Sequence, residues 1–148
     1  MTLEKLVVAL MLYLQIPGAA PEVEVISDAR MVEVGQGTCR EKVACLALFH
    51  YADVKIYVSE RLDTYSDVGK SVMVHELRHY QQTLTCGPLE KAPGWQDKFW
   101  ARELDAYCTQ HRYLRSLNSS TTILGPGMIH PHQMENACLH LWPGRIQC

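Results

Sequence analysis

Three observations predict an α+β domain. Three short runs with strand character occupy the first sixty residues, around 22–27, 44–50 and 54–59. Two long helical patterns follow, around 68–83 and 97–117, so strands and helices are segregated along the chain instead of alternating. The chain has 148 residues, of which 47% are hydrophobic and 20% charged, enough for one core of ordinary domain size. A net charge of -2, with no block of like charges, excludes an electrostatic footprint for nucleic acid or anionic lipid.

The first element is expected at 3–14, where Leu3, Leu6, Val7, Leu10, Met11 and Leu14 recur at helical spacing and Pro17-Gly18 ends the segment. A core helix is the preferred reading. The alternative is a secretory signal peptide, because an apolar run after Lys5 precedes Gly18-Ala19-Ala20, although Pro21 would follow the cut and Glu4 dilutes the positive start. The run is too short for a transmembrane helix. Glu22 to Ser27 alternates polar and apolar residues as a half-buried strand does, and Gly35 to Cys39 reads as a turn. Ala44 to His50 and Val54 to Ser59 flank Tyr51-Ala52-Asp53, which predicts an antiparallel hairpin. Ser66 and Asp67 are N-cap candidates for the first long helix, which Cys86-Gly87-Pro88 stops. After Pro93-Gly94, Asp97 can cap the second, running to about Leu117.

Residues 1–117 thus form the organised domain, and 118–148 an ordered but irregular tail packed on it. Six cysteines, at 39, 45, 86, 108, 138 and 148, make no CxxC and are numerous for a reducing compartment. The chain is cytoplasmic if they are thiols, and exported to a periplasm or secreted if they are paired. We expect Cys86 with Cys108, because Cys86 follows the first long helix and Cys108 lies in the second, five residues past Glu103, and by proximity in sequence Cys39 with Cys45 and Cys138 with Cys148.

The first long helix contains His75-Glu76-Leu77-Arg78-His79, an HExxH motif. Four residues advance a helix by just over a turn, so both imidazoles project from one face and can converge on one tetrahedral ion. Glu76, beside that face, can take the proton of a water activated there. Average composition would produce such a motif by chance in about one chain in two hundred of this length. A third histidine six positions after His79, as metzincins require, is absent, because Thr85 stands there.

The second helix carries Glu103-Leu104-Asp105-Ala106, and here the chain resembles the gluzincins, zinc peptidases whose HExxH helix is followed by one bearing a glutamate ligand in an ExxA context. More narrowly, SVMVHELRHYQQ (71–82) with ELDAYCTQ (103–110) looks like a family of small, largely uncharacterised bacterial and phage gluzincin-like proteins, over about residues 3–117. The resemblance implies a minimal zincin-like domain, with a small antiparallel sheet packed on the HExxH helix and the glutamate helix behind it. It implies Zn2+ held by His75, His79 and Glu103, Glu76 as general base, and a peptide or protein substrate. Many larger gluzincins place an Asp four residues after the glutamate ligand to orient a histidine, whereas this chain has Tyr107. Asp105 is the available substitute, but on an ideal helix it points about 200° from Glu103.

Tyr107, one turn after Glu103, is the first candidate for a donor to a developing oxyanion, and His111 the second. Gln82 and Gln110 read as helix-end hydrogen-bonding groups, and Trp95 and Trp100 as core or loop anchors. His130, His132 and His140 lack a carboxylate or thiolate at ligand spacing and predict no second metal site. Asn118-Ser119-Ser120 is a sequon that matters only in a eukaryotic secretory pathway. A metallopeptidase is therefore the leading reading, with Val54 to Ser59 as an edge strand beside the cleft. A zinc-bound domain without catalysis is the alternative, and no feature assigns an oligomeric state.

Overall fold

The structure is a computed structural model that describes residues 1–35, 45–90, 92–121, 136–139, 145–146 and 148. The order of elements is α1 (Leu3–Leu14), β1 (Glu22–Ile26), α2 (Asp28–Val34), β2 (Ala47–His50), β3 (Lys55–Ser59), α3 (Asp67–Cys86) and α4 (Trp95–Ser116). The architecture is α+β, as the segregation of strand and helix patterns predicts. Beyond Gly35, the expected turn at 35–39 lies outside the described residues.

Thr2 caps α1 by accepting from the Lys5 amide, and Gln15 ends it in the left-handed region. Its periodic residues Leu6, Val7, Leu10, Met11 and Leu14 are buried, so the segment packs as a core helix. They join Phe49, Ile56 and Val58 from the sheet and Met73, Val74 and Leu77 from α3 in the main core. No helix among the described residues is long and apolar enough to cross a membrane. The opposite face of the sheet carries Ile26 and Tyr57, covered by Met31 of α2. Sequence reading missed α2, although Ser27 caps it by accepting from Arg30.

The sheet corrects two expectations. It is mixed, not antiparallel, with order β1-β3-β2. β2 and β3 form the expected antiparallel hairpin, whereas β1 runs parallel to β3, pairing Val23 with Ile56 and Val25 with Val58. Alternation within a strand reports which face is buried but not the direction of its partner. Consequently β3 is the central strand, and the edge beside the site belongs to β2.

Ser66 caps α3 by accepting from Gly69, and the Asp63 carbonyl approaches that glycine so closely that a Cβ there would lie 1.8 Å from the oxygen. α3 is buried on most of its circumference, polar residues included. α4 starts at Gly94 rather than at an Asp97 cap, and packs antiparallel on α3. Gln110 Nε2 donates to Ser71 Oγ near one end, while Gln82 Nε2 donates to the Arg102 carbonyl near the other.

This register rules out the expected Cys86–Cys108 pair. Cys108 lies beside the middle of α3, about 15 Å along the axis from Cys86 at a rise of 1.5 Å per residue. The structure instead joins Cys86 to Cys148 and Cys108 to Cys138, which also replaces the expected Cys138–Cys148 bond. Cys45 is disulfide-bonded as well, and Cys39 lies outside the described residues. Paired cysteines, with no thiol free among the described residues, are compatible with an exported protein. Both bridges fasten the C-terminal segment to the two long helices. Residues 136–139 form a helical turn, and the Cys138 carbonyl accepts from Arg112 of α4.

Candidate metal centre

His75 and His79, one turn apart on α3, bring their Nε2 atoms to 3.2 Å. α4 crosses at that level and supplies Glu103, whose carboxylate lies 2.9 Å from His79 Nε2 and 3.7 Å from His75 Nε2. One ligand atom from each of the three residues lies within 4.8 Å of the others, so the group can hold a metal ion. Protonation alone serves this arrangement poorly. Two imidazole nitrogens facing each other at 3.2 Å share at most one proton, and His75 Nδ1 is buried with no hydrogen-bond partner among the described residues. A cation that accepts three lone pairs suits the donor set of two nitrogens and one oxygen.

Electrostatics in the metal-free cluster follow from the same contacts. Burial pushes the His79 pKa down, but the Glu103 carboxylate outweighs it and the net shift is upward, to about 9. Burial likewise opposes ionisation of Glu103, yet the His79 charge and hydrogen bonds from both histidines hold it well below the usual carboxylate range.

Glu76 is buried, and its Oε2 accepts the Phe49 amide of β2 at 2.8 Å. That amide points away from β3, because the Leu46 carbonyl, three positions earlier, accepts from the Ser59 amide and successive residues of the strand face opposite edges. The outer edge of β2 therefore faces the site, and the Glu76 charge is felt at both His79 and Tyr107.

Tyr107 packs its ring edgewise on His75, with centroids 4.4 Å apart. Burial, followed by the Glu103 charge, pushes its hydroxyl pKa up to about 12. His111, one turn further along α4, is buried but is not part of the His75–His79–Glu103 group. Tyr51, which sequence reading passed over, packs edge-to-face on Phe49 and brings its hydroxyl to 3.3 Å from His79 Nδ1, the nitrogen on the far side of the ring from Glu103. Its hydroxyl pKa is raised chiefly by burial.

Among the described residues, Asp105 is neither part of the possible metal-holding group nor in direct contact with a histidine. It takes two hydrogen bonds from the buried Arg78 of α3, at 2.7 and 3.0 Å, and one from Gln82 Nε2 at 2.7 Å. Gln82 in turn stands 2.9 Å from His79 Nδ1. The only legible signal for this contact is the spacing of Gln82, three residues after His79, which puts both on one face. Gln110 bonds Ser71, away from the cluster. Trp100 is half exposed and Trp95 packs on Phe99 at the start of α4. His130, His132 and His140 lie outside the described residues, so the second-site expectation is not addressed by them. Comparison of the chain with protein-family models, curated proteins and solved structures finds no match.

Proposed function

We propose that this protein is a zinc-dependent peptidase of minimal gluzincin type. The observation that carries the reading is the convergence of His75, His79 and Glu103 from two packed helices, with the Glu76 carboxylate beside them. The three protein ligands found among the described residues leave a coordination position open, as catalytic zinc sites do, whereas structural sites fill all four, mostly with cysteine and histidine. Zinc held there supplies a Lewis acid able to make water nucleophilic near neutral pH.

The chain's own groups divide the remaining work. Glu76 accepts the proton of the attacking water, and the Phe49 amide anchors its Oε2, so that Oε1 is the oxygen left for that proton. Tyr107, kept protonated by burial, donates to the oxyanion that develops on the scissile carbonyl. An extended peptide pairs with the outer edge of β2, where Ala47 presents its backbone in the same direction as Phe49.

Glu76→Gln tests the reading. The amide still accepts from Phe49, so the protein should fold and take up zinc, while cleavage of a peptide library falls at least about 100-fold. Equal cleavage by both proteins removes Glu76 from the mechanism. Zinc uptake by both with cleavage by neither favours a zinc-binding domain without catalysis.

A further inference from the structure

We infer that Gln82 is a positioning residue of the metal centre, holding His79 in the single tautomer that turns its Nε2 lone pair toward Glu103 and His75. The inference rests on the metal-site reading above and adds to it the means by which one ligand is set.

The hydrogen-bond pattern leaves the Gln82 amide one orientation. Its nitrogen end meets two groups that can only accept, the Arg102 carbonyl at 2.9 Å and Asp105 Oδ2 at 2.7 Å. A flipped amide would put an oxygen against both. Gln82 Oε1 therefore faces His79 Nδ1 at 2.9 Å, and since a carbonyl oxygen only accepts, Nδ1 carries the proton. In a neutral imidazole the other nitrogen is then proton-free, and that is the Nε2 that lies 2.9 Å from Glu103 and 3.2 Å from His75.

Asp105 is kept from moving by the two bonds from Arg78, whose side chain is 2% exposed. The line Arg78–Asp105–Gln82–His79 thus carries the orienting role that a carboxylate plays when it contacts a ligand histidine directly, with an amide interposed. It also accounts for an aspartate that points away from Glu103 and for a glutamine that is only 1% exposed. Among the described residues Tyr51 is the other group near Nδ1, at 3.3 Å, so loss of Gln82 leaves a weaker partner in place.

The test compares wild type, Gln82→Met and His75→Ala. Zinc affinity is measured by competition with a chromophoric chelator, and the ring nitrogens of His79 are observed by NMR in the zinc-loaded protein. The expected result is a His79 ring metallated through Nε2 with a slowly exchanging Nδ1 proton. In Gln82→Met affinity falls about 10- to 100-fold and that proton loses its protection. A purely structural role would lower the thermal stability of the metal-free protein but leave affinity and the ring signals unchanged, and that result overturns the inference alone. If His75→Ala binds zinc as wild type does, the metal-site reading falls and the inference with it. Should Gln82→Met fail to fold, wild type decides: zinc on Nδ1 of His79 overturns the inference, and zinc on Nε2 beside a protected Nδ1 proton upholds it.

Discussion

At the scale of single residues, the metal-free centre is an ion pair whose pH dependence has a definite sign. The His79 pKa is raised from 6.5 to about 9, so the stability it contributes is fully present below about 6.5 and is lost as pH rises through 9. Glu103 is depressed, so its contribution is present above its ordinary pKa of 4.5 and is lost as pH falls. Thermal melting of chelator-treated protein should therefore fall between pH 6.5 and 9.5, and Glu103→Gln should flatten that fall. Zinc competes with the same proton, so in its presence stability should rise with pH over this range. Tyr107→Phe keeps the ring against His75 and removes only the hydroxyl. If the proposed reaction uses that hydroxyl at the oxyanion, kcat falls about 100- to 1,000-fold with KM little changed. An unchanged kcat assigns Tyr107 to packing on His75.

Single elements expose two positions where local geometry decides stability. Gly69 sits in the first turn of α3, and a methyl group there would collide with the Asp63 carbonyl, which belongs to backbone and cannot swing away. Gly69→Ala should lower unfolding free energy by about 3 kcal/mol, measured in urea, despite the better helix propensity of alanine. Val54 closes the β2–β3 hairpin at a φ of 52°, a left-handed conformation that costs an L residue about 1–2 kcal/mol and suits a β-branched one least. Because Val54 is exposed, Val54→Asn should raise stability by about 1 kcal/mol. A loss on this substitution would mean that the valine side chain packs more than its exposure indicates.

For the whole molecule, the two described disulfides matter because each closes a long loop. Cys86–Cys148 spans 62 positions and Cys108–Cys138 spans 30. Loop-closure entropy assigns them about 4 kcal/mol each. Neither bridge includes a ligand, and α3 and α4 remain joined by the Arg78–Asp105 pair and the Gln110–Ser71 bond. Replacing Cys108 and Cys138 together by serine should thus lower stability by about 3–4 kcal/mol while leaving zinc affinity within a few-fold of wild type. A large loss of affinity would show that the C-terminal segment helps to hold the ligands in place.

The sequence by itself determined what depends on neighbours along the chain. Helical spacing put His75 and His79 on one face, Ser66 announced the start of the first long helix, and alternation in Val54–Ser59 marked a strand with two different faces. Glu103 was legible only through a resemblance, since nothing local says which carboxylate of α4 turns toward α3. Tertiary structure decided the rest. The parallel partner of β1, the cysteine pairing, the Phe49 amide on Glu76 and the Asp105–Gln82–His79 line all join residues from different elements. Each depends on how one element is registered against another. That register is set by the summed packing of a core drawn from α1, α3 and the sheet, a long-range quantity that no short window of sequence contains.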